Sequence, residues 1–91
     1  MISDEVEDLF NQADNLLFNE GKHDEAQKLY DLILKHDPTS IDAINSIAYC
    51  VKYRAGSEPA FDELLALYNR SLKLDSEDIE ANFNLGLLYL Q

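Results

Sequence analysis

The chain has few of the residues that cross-link or interrupt small proteins. Its 91 residues include one cysteine, two prolines, three glycines and no tryptophan. A single thiol, Cys50, excludes an intrachain disulfide, and the N-terminus lacks the basic patch and apolar stretch of a signal peptide. We therefore expect a cytoplasmic or nuclear protein.

Basic residues are scarce. Lys and Arg number 7 against 18 Asp and Glu, which gives a formal net charge of −11, and the first twenty residues carry six carboxylates and no Lys or Arg. Such a field repels phosphate backbones and anionic lipid headgroups. Nucleic-acid and membrane-surface roles are therefore disfavoured, and a basic or neutral partner is favoured. The alternative, that the acidic surface only keeps the protein in solution, stays open.

Long apolar runs are also missing. The run Leu87–Leu90 has four residues and no run exceeds five, far fewer than a helix needs to cross about 30 Å of hydrocarbon. We therefore expect no membrane insertion. The apolar and charged fractions, 46% and 27%, are those of a folded globular protein, and the length supports one domain.

What the sequence does contain is helical periodicity. Apolar residues recur at steps of three and four in five segments, separated by turn and capping residues. Pro38 ends the second segment because its ring cannot continue a helix. No segment alternates with a period of two, so the pattern predicts an all-α domain of five helices joined by short links. The apolar stripes lie within Val6–Leu17, Ala26–Leu34, Ile41–Val51, Phe61–Leu74 and Ile79–Leu90.

The five helices repeat with a period in the mid-thirties, as in a helical solenoid. Residues 4–38 form unit one, residues 39–76 form unit two, and residues 77–91 supply the first helix of unit three. Small and aromatic residues recur at matching offsets. The matching positions are Leu85-Gly86-x-x-Tyr89 in unit three, Ile47-Ala48-x-x-Val51 and Tyr68, Ser71 and Leu72 in unit two, and Gly21, Ala26, Tyr30 and Pro38 in unit one.

These positions resemble the tetratricopeptide repeat, over nearly the whole chain and for about two and a half repeats. The resemblance implies an α-solenoid of antiparallel helix hairpins, a superhelix with a concave face. A glycine inside a helix costs about 1 kcal/mol relative to alanine, so we interpret Gly86 as a site where a neighbouring helix approaches closely.

The chain departs from the family pattern at three places. Asp14 stands where the family has a small residue, so Ala13 could take the packing role instead, and Ser76 replaces a terminal proline. Val51 and Tyr68 are 17 positions apart, against 13 for the corresponding pair in unit one. We assign the extra four residues to an insertion around Gly56–Pro59.

Members of this family bind peptides or helices on the face lined by the first helix of each unit, and the resemblance implies the same here. Amides donate and accept hydrogen bonds, which suits a peptide backbone, and tyrosines offer contact area at low entropic cost. The alternative, that these side chains are solvated faces, stays open. The expected partner-binding residues are Asn11, Asn15, Asp42, Asn45, Tyr49, Tyr53, Phe83 and Asn84, with Asp8 and Glu80 in the same lining.

One subfamily clamps the acidic C-terminal tails of Hsp70 and Hsp90 with Lys, Arg and Asn side chains. Of the clamp positions only Asn15 matches here, and Glu80 inverts the required charge. A carboxylate facing a carboxylate argues against such a clamp. A basic partner or an amphipathic helix is expected instead.

Catalytic and metal-binding patterns are weak. His23 lies at a turn and His36 near a helix end, neither with a second ligand at metal spacing, and Cys50 has no evident base beside it. We therefore expect no enzyme, no metal and no cofactor.

Helix five is apolar on more than one face, through Phe83, Leu85, Leu87, Leu88 and Leu90. Because a terminal solenoid helix needs a polar outer side, we expect something to cover it, either a second helix of unit three in a longer protein or another copy of the chain.

The sequence thus leaves three hypotheses. The first is a protein-binding scaffold or adaptor, the second an acidic chaperone-like escort for a basic client, and the third self-association through helix five.

Overall fold

A computed structural model of the chain describes residues 4–54 and 60–90. These residues form five α-helices and no strand, so the predicted all-α class is confirmed. The insertion assigned to Gly56–Pro59 lies outside the described residues. The helices are α1 (Asp4–Asp14), α2 (His23–His36), α3 (Ile41–Tyr53), α4 (Phe61–Leu74) and α5 (Ile79–Tyr89).

Each helix packs against the next one in the chain, which gives a stack of antiparallel hairpins of the helical-repeat type. The links are sharp. Gly21 has a φ of +67°, the left-handed conformation that glycine adopts at low cost after a helix. The Ser40 hydroxyl accepts the Ala43 N–H at 3.2 Å and so caps the start of α3. None of the helices in the described ranges is both long and apolar enough to cross a membrane.

A single π-helical turn, Asn15–Asn19, extends α1, and the periodicity did not predict it. The Glu20 N–H donates to the Asn15 carbonyl at 3.2 Å, and the Lys22 N–H donates to the Leu16 carbonyl at 2.8 Å. Carbonyls that would be orphaned at the helix end are thereby satisfied. Within this turn Leu17 is buried and Phe18 is exposed.

The core lies between the helices, and α3 is its centre, with neighbours α2 and α4 on either side. Ala13 is fully buried, whereas Asp14 is exposed and accepts a hydrogen bond from the Tyr30 hydroxyl. The possibility that Ala13 takes the packing role in unit one is therefore confirmed. Tyr30, Ile33, Ile44, Leu64 and Cys50 are the largest fully buried apolar side chains.

One buried polar network links three helices. The Ser71 hydroxyl of α4 donates to Asn45 Oδ1 of α3 at 2.9 Å. Asn45 Nδ2 in turn donates to Asp78 Oδ2, just before α5, at 3.0 Å. Since a buried polar group is costly unless it is hydrogen-bonded, this network favours one relative arrangement of α3, α4 and the start of α5.

The expectation of a close helix approach at Gly86 is wrong for the part of the chain that the structure describes. Gly86 is exposed, and a Cβ added to it would meet nothing within 4 Å. The surrounding face of α5 is also open, with Ile79 and Leu90 each 83% exposed. Leu88 is instead buried among the core residues, so this open face is narrower than the sequence predicts.

Candidate functional site

Two adjoining cavities lie along the face formed by α1, its π turn, α3 and α5. Their volumes are about 380 and 240 Å³, and both are lined by Asn45, Tyr49 and Glu80. The shared residues make the two cavities one continuous depression, which we call the inner groove. A hollow therefore runs along the odd-numbered helices α1, α3 and α5.

The larger cavity, called here the Phe18 cavity, is rich in both rings and carboxylates. It is lined by Phe10, Asp14, Leu17, Phe18, Asp42, Asn45, Ser46, Tyr49 and Glu80.

The smaller one, called here the Phe83 cavity, contains a basic residue among its rings and amides. It is lined by Asn45, Tyr49, Lys52, Tyr53, Tyr68, Glu80, Phe83 and Asn84.

A column of aromatic rings runs along the inner groove. The ring centroids of Phe18 and Tyr49 are 5.5 Å apart, and those of Tyr49 and Tyr53 are 4.6 Å apart. These side chains are 64%, 40% and 51% exposed, respectively. The Lys52 ammonium lies 5.3 Å from the Tyr53 centroid. Tilted contacts between rings stabilise the column by about 0.5–1.5 kcal/mol per pair, so it is an organised apolar surface.

The inner groove is electronegative. Asp14, Asp42 and Glu80 contribute carboxylates, and none of them forms an ion pair with another residue in the described ranges. Burial first, and then the neighbouring Tyr53 and Glu80, raise the pKa of Tyr68. The Tyr68 hydroxyl therefore stays protonated at neutral pH and can donate a hydrogen bond.

Six of the eight sequence-predicted binding residues line the inner groove: Asp42, Asn45, Tyr49, Tyr53, Phe83 and Asn84. Their roles in binding remain predictions.

Asn11 and Asn15 line neither cavity, and neither does Asp8. Asn15 is exposed, and its amide nitrogen donates to Glu20 Oε2 at 3.2 Å while its oxygen accepts from Asn19 at 2.7 Å. These two contacts cross the π turn. Asn15 thus stabilises the end of the first helix and lies outside the inner groove.

Asn45 contributes to the floor of the inner groove as well as to its lining. Its side chain is buried, and both ends of its amide are engaged, with Ser71 and with Asp78. The amide therefore has little capacity left for a partner. Its effect on the inner groove is to hold α3 against α4 and the start of α5.

The lining residues that the sequence-based prediction missed include Phe10, Asp14 and Phe18, and one signal could have found these three. If Ala13 rather than Asp14 is matched to Ala48, the spacing between units one and two is 35 positions. Phe10, Asp14 and Phe18 then correspond in sequence to Asn45, Tyr49 and Tyr53 of unit two. The predicted lining of unit one was therefore shifted by one residue along the sequence. One residue corresponds to a rotation of about 100° around the helix axis.

The one thiol of the chain, Cys50, does not line the inner groove. Cys50 is fully buried, and burial raises the pKa of its thiol to about 11, although Arg54 acts in the opposite direction. The thiol is therefore protonated at neutral pH and a weak nucleophile. Within residues 4–54 and 60–90, no three His, Cys, Asp or Glu side chains are grouped as metal ligands would be.

No protein-family model matches the chain, and a search of curated protein sequences gives no significant match.

Proposed function

We propose that this chain is a protein-interaction module of the tetratricopeptide-repeat type, a scaffold or adaptor that binds a peptide or a helix of a partner in the inner groove. The observation that carries the proposal is the exposed ring column Phe18, Tyr49 and Tyr53, which lines a continuous hollow. Aromatic rings are enriched where proteins bind one another, because they bury a large area with few rotatable bonds.

The inner groove also offers polar partners for a peptide backbone. Asn84 and the protonated Tyr68 hydroxyl line the Phe83 cavity, and Ser46 lines the Phe18 cavity. A polypeptide buried on apolar rings still needs donors and acceptors for its amides. A lining that combines rings with small polar groups matches that need better than a uniformly apolar surface does.

The test is a selection of random twelve-residue peptides, displayed on phage, against the immobilised protein. We expect the enriched peptides to bind wild-type protein and to lose at least tenfold in affinity for Tyr49→Ala. Truncating a central aromatic anchor has effects of this size.

The matched control is Leu32→Ala on α2. Leu32 is 42% exposed, about as much as Tyr49, but it lies outside the inner groove. If the peptides lose affinity equally for both variants, or lose affinity for neither variant, the result would count against binding in the inner groove. Circular dichroism of each variant checks that the fold is retained.

An acidic chaperone-like escort for a basic client is a second candidate, favoured by the net charge of −11. Such binding would be spread over the surface and would depend on many charges. Its affinity should fall steeply as salt rises from 50 to 500 mM, whereas recognition through rings and amides should change little. Lysozyme, a small basic protein, can serve as the probe client.

Self-association through α5 is a third candidate, favoured by the exposure of Ile79, Phe83 and Leu90. Light scattering over a range of protein concentrations would then give a dimer mass, and Leu90→Glu would restore the monomer. Leu88→Glu is not suitable for this purpose because Leu88 is buried in the core. A monomer at all concentrations removes this candidate.

A further inference from the structure

The Phe18 cavity combines three aromatic rings with three carboxylates and contains no basic residue. Phe10, Phe18 and Tyr49 supply the rings, and Asp14, Asp42 and Glu80 supply the acids. An aromatic ring attracts cations over its face, and a carboxylate attracts them more strongly. A hollow lined by both is suited to a cation with an apolar stem.

The three carboxylates are available for such a ligand. In the described part of the chain, Asp42 and Glu80 take part in no ion pair, and Asp14 is hydrogen-bonded through Oδ1 to the Tyr30 hydroxyl. The second oxygen of Asp14 keeps its lone pairs. The cavity lining thus carries three negative charges and no positive one, and a bound cation would offset that charge.

The neighbouring cavity shows the complementary situation. There Lys52 already lies over the Tyr53 ring, with its ammonium 5.3 Å from the ring centroid. Tyr53 contacts Tyr49, whose ring also lines the Phe18 cavity. One half of the inner groove thus contains its own cation, and the other half lacks one.

We infer that the Phe18 cavity binds an arginine side chain of the partner polypeptide. The guanidinium contacts the rings of Phe18 and Tyr49 and pairs with the carboxylates of Asp14, Asp42 and Glu80. This inference rests on the proposed function, because it specifies what the bound polypeptide brings to the inner groove. The guanidinium suits the cavity better than an ammonium does, because it is planar, weakly hydrated, stacks on rings and pairs with two carboxylate oxygens at once.

The size of the cavity agrees with this occupant. At about 380 Å³ it is at the small end of ligand pockets, which span about 300–1,000 Å³. One long side chain fits such a volume, whereas a folded surface does not enter it. The net charge of −11 also favours the approach of a basic segment.

The experiment titrates the whole chain with Nα-acetyl-arginine methylamide and follows the aromatic carbon–proton resonances by NMR. Nα-acetyl-citrulline methylamide is the control ligand, because it has nearly the same shape without the charge. We expect the Phe18 and Tyr49 ring signals to shift and to saturate in the range of about 1–10 mM with arginine. Citrulline should bind at least fivefold more weakly.

The variant pair separates the cavity from general acidity. Asp42→Asn with Glu80→Gln should weaken arginine binding at least fivefold and leave citrulline binding unchanged. Asp62→Asn with Glu63→Gln removes the same two charges from the first turn of α4, outside the cavity, and should have no such effect. These matched first-turn positions control for changes at helix starts.

A third ligand, Nα-acetyl-lysine methylamide, tests the preference for a guanidinium. Three results would overturn the inference: equal shifts with citrulline, equal binding by this lysine ligand, or equal losses in the two variant pairs. None of them bears on the peptide selection described above. If selected peptides depend on Tyr49 while arginine binds no better than citrulline, the proposed function stands and this inference fails. If arginine binds and no selected peptide depends on Tyr49, the proposed function fails.

Discussion

The helices α3 and α5 occupy the same place in successive units, and their surroundings differ. They are 38 positions apart in sequence, so that Ile44, Ala48 and Val51 correspond to Asn82, Gly86 and Tyr89. The first three side chains are buried, and the last three are exposed. Within the described residues, α3 packs extensively against two helices and α5 against one. The comparison teaches that a helix of this stack buries both sides of its surface only where helices pack against both sides.

The largest expected difference is in core packing. Ile44 is fully buried, so Ile44→Ala should lower the free energy of unfolding by about 2–5 kcal/mol. Ile79→Ala, the same chemical change at the start of α5, should alter it by less than about 0.5 kcal/mol. Urea denaturation followed by circular dichroism measures both. Equal losses would mean that α5 is covered in solution.

The next effect concerns the polar network that joins α3 to α4. Ser71→Ala removes the donor to Asn45 Oδ1 and leaves a buried oxygen without its partner. We expect a loss of about 1–3 kcal/mol in the free energy of unfolding. Ser76→Ala, in the exposed link before α5, is the matched control and should be close to neutral. A neutral Ser71→Ala would show that water can replace the hydroxyl.

Alkaline pH tests the packing of Tyr30, which belongs to the covered side of the stack. Burial first, and then the hydrogen bond to Asp14, raise the pKa of the Tyr30 hydroxyl well above the usual tyrosine pKa of about 10. Above that value the unfolded chain loses the proton and the folded chain keeps it, so stability falls as pH rises.

Tyr30→Phe should cost about 1 kcal/mol at pH 7 through the lost hydrogen bond. Between pH 10 and 11 its free energy of unfolding should fall less steeply than that of wild type, by up to about 1.4 kcal/mol per pH unit. The difference should be constant between pH 7 and 9, which serves as the internal control. Parallel curves up to pH 11 would contradict the burial of this hydroxyl.

The smallest expected change in the free energy of unfolding is a stabilisation. Because a Cβ at Gly86 would meet nothing within 4 Å, Gly86→Ala should stabilise the protein by about 0.5–1 kcal/mol through helix propensity alone. Gly21→Ala should destabilise it, since φ is +67° there. Thermal unfolding of the two variants compares them directly. A destabilising Gly86→Ala would reveal a close neighbour on α5.

Much of the fold follows from the sequence alone, because the stripe of buried residues in each helix is local information. Ala26, Tyr30 and Ile33 repeat at steps of three and four, and Pro38 ends that helix whatever surrounds it. The π turn at Asn15–Asn19 does not follow, since it depends on how carbonyls are satisfied at the end of α1.

The candidate site was predicted in part for a related reason. In α3 and α5 the matching positions Ile47-Ala48-x-x-Val51 and Leu85-Gly86-x-x-Tyr89 define the register well enough to find the lining. In α1 two adjacent candidates for the packing position, Ala13 and Asp14, differ by about 100° around the helix. The burial of Ala13 and the contact between Asp14 and Tyr30 identify Ala13 as the correct one.

The central claim is that a polypeptide binds in the inner groove, and mapping a selected peptide by NMR tests it most directly. On titration of labelled protein with the tightest peptide, we predict shifts for Phe18, Tyr49, Tyr53 and Phe83. Leu32 and Leu74, on the even-numbered helices, should not shift. Shifts centred on those two leucines, with the aromatic rings unchanged, would contradict the claim.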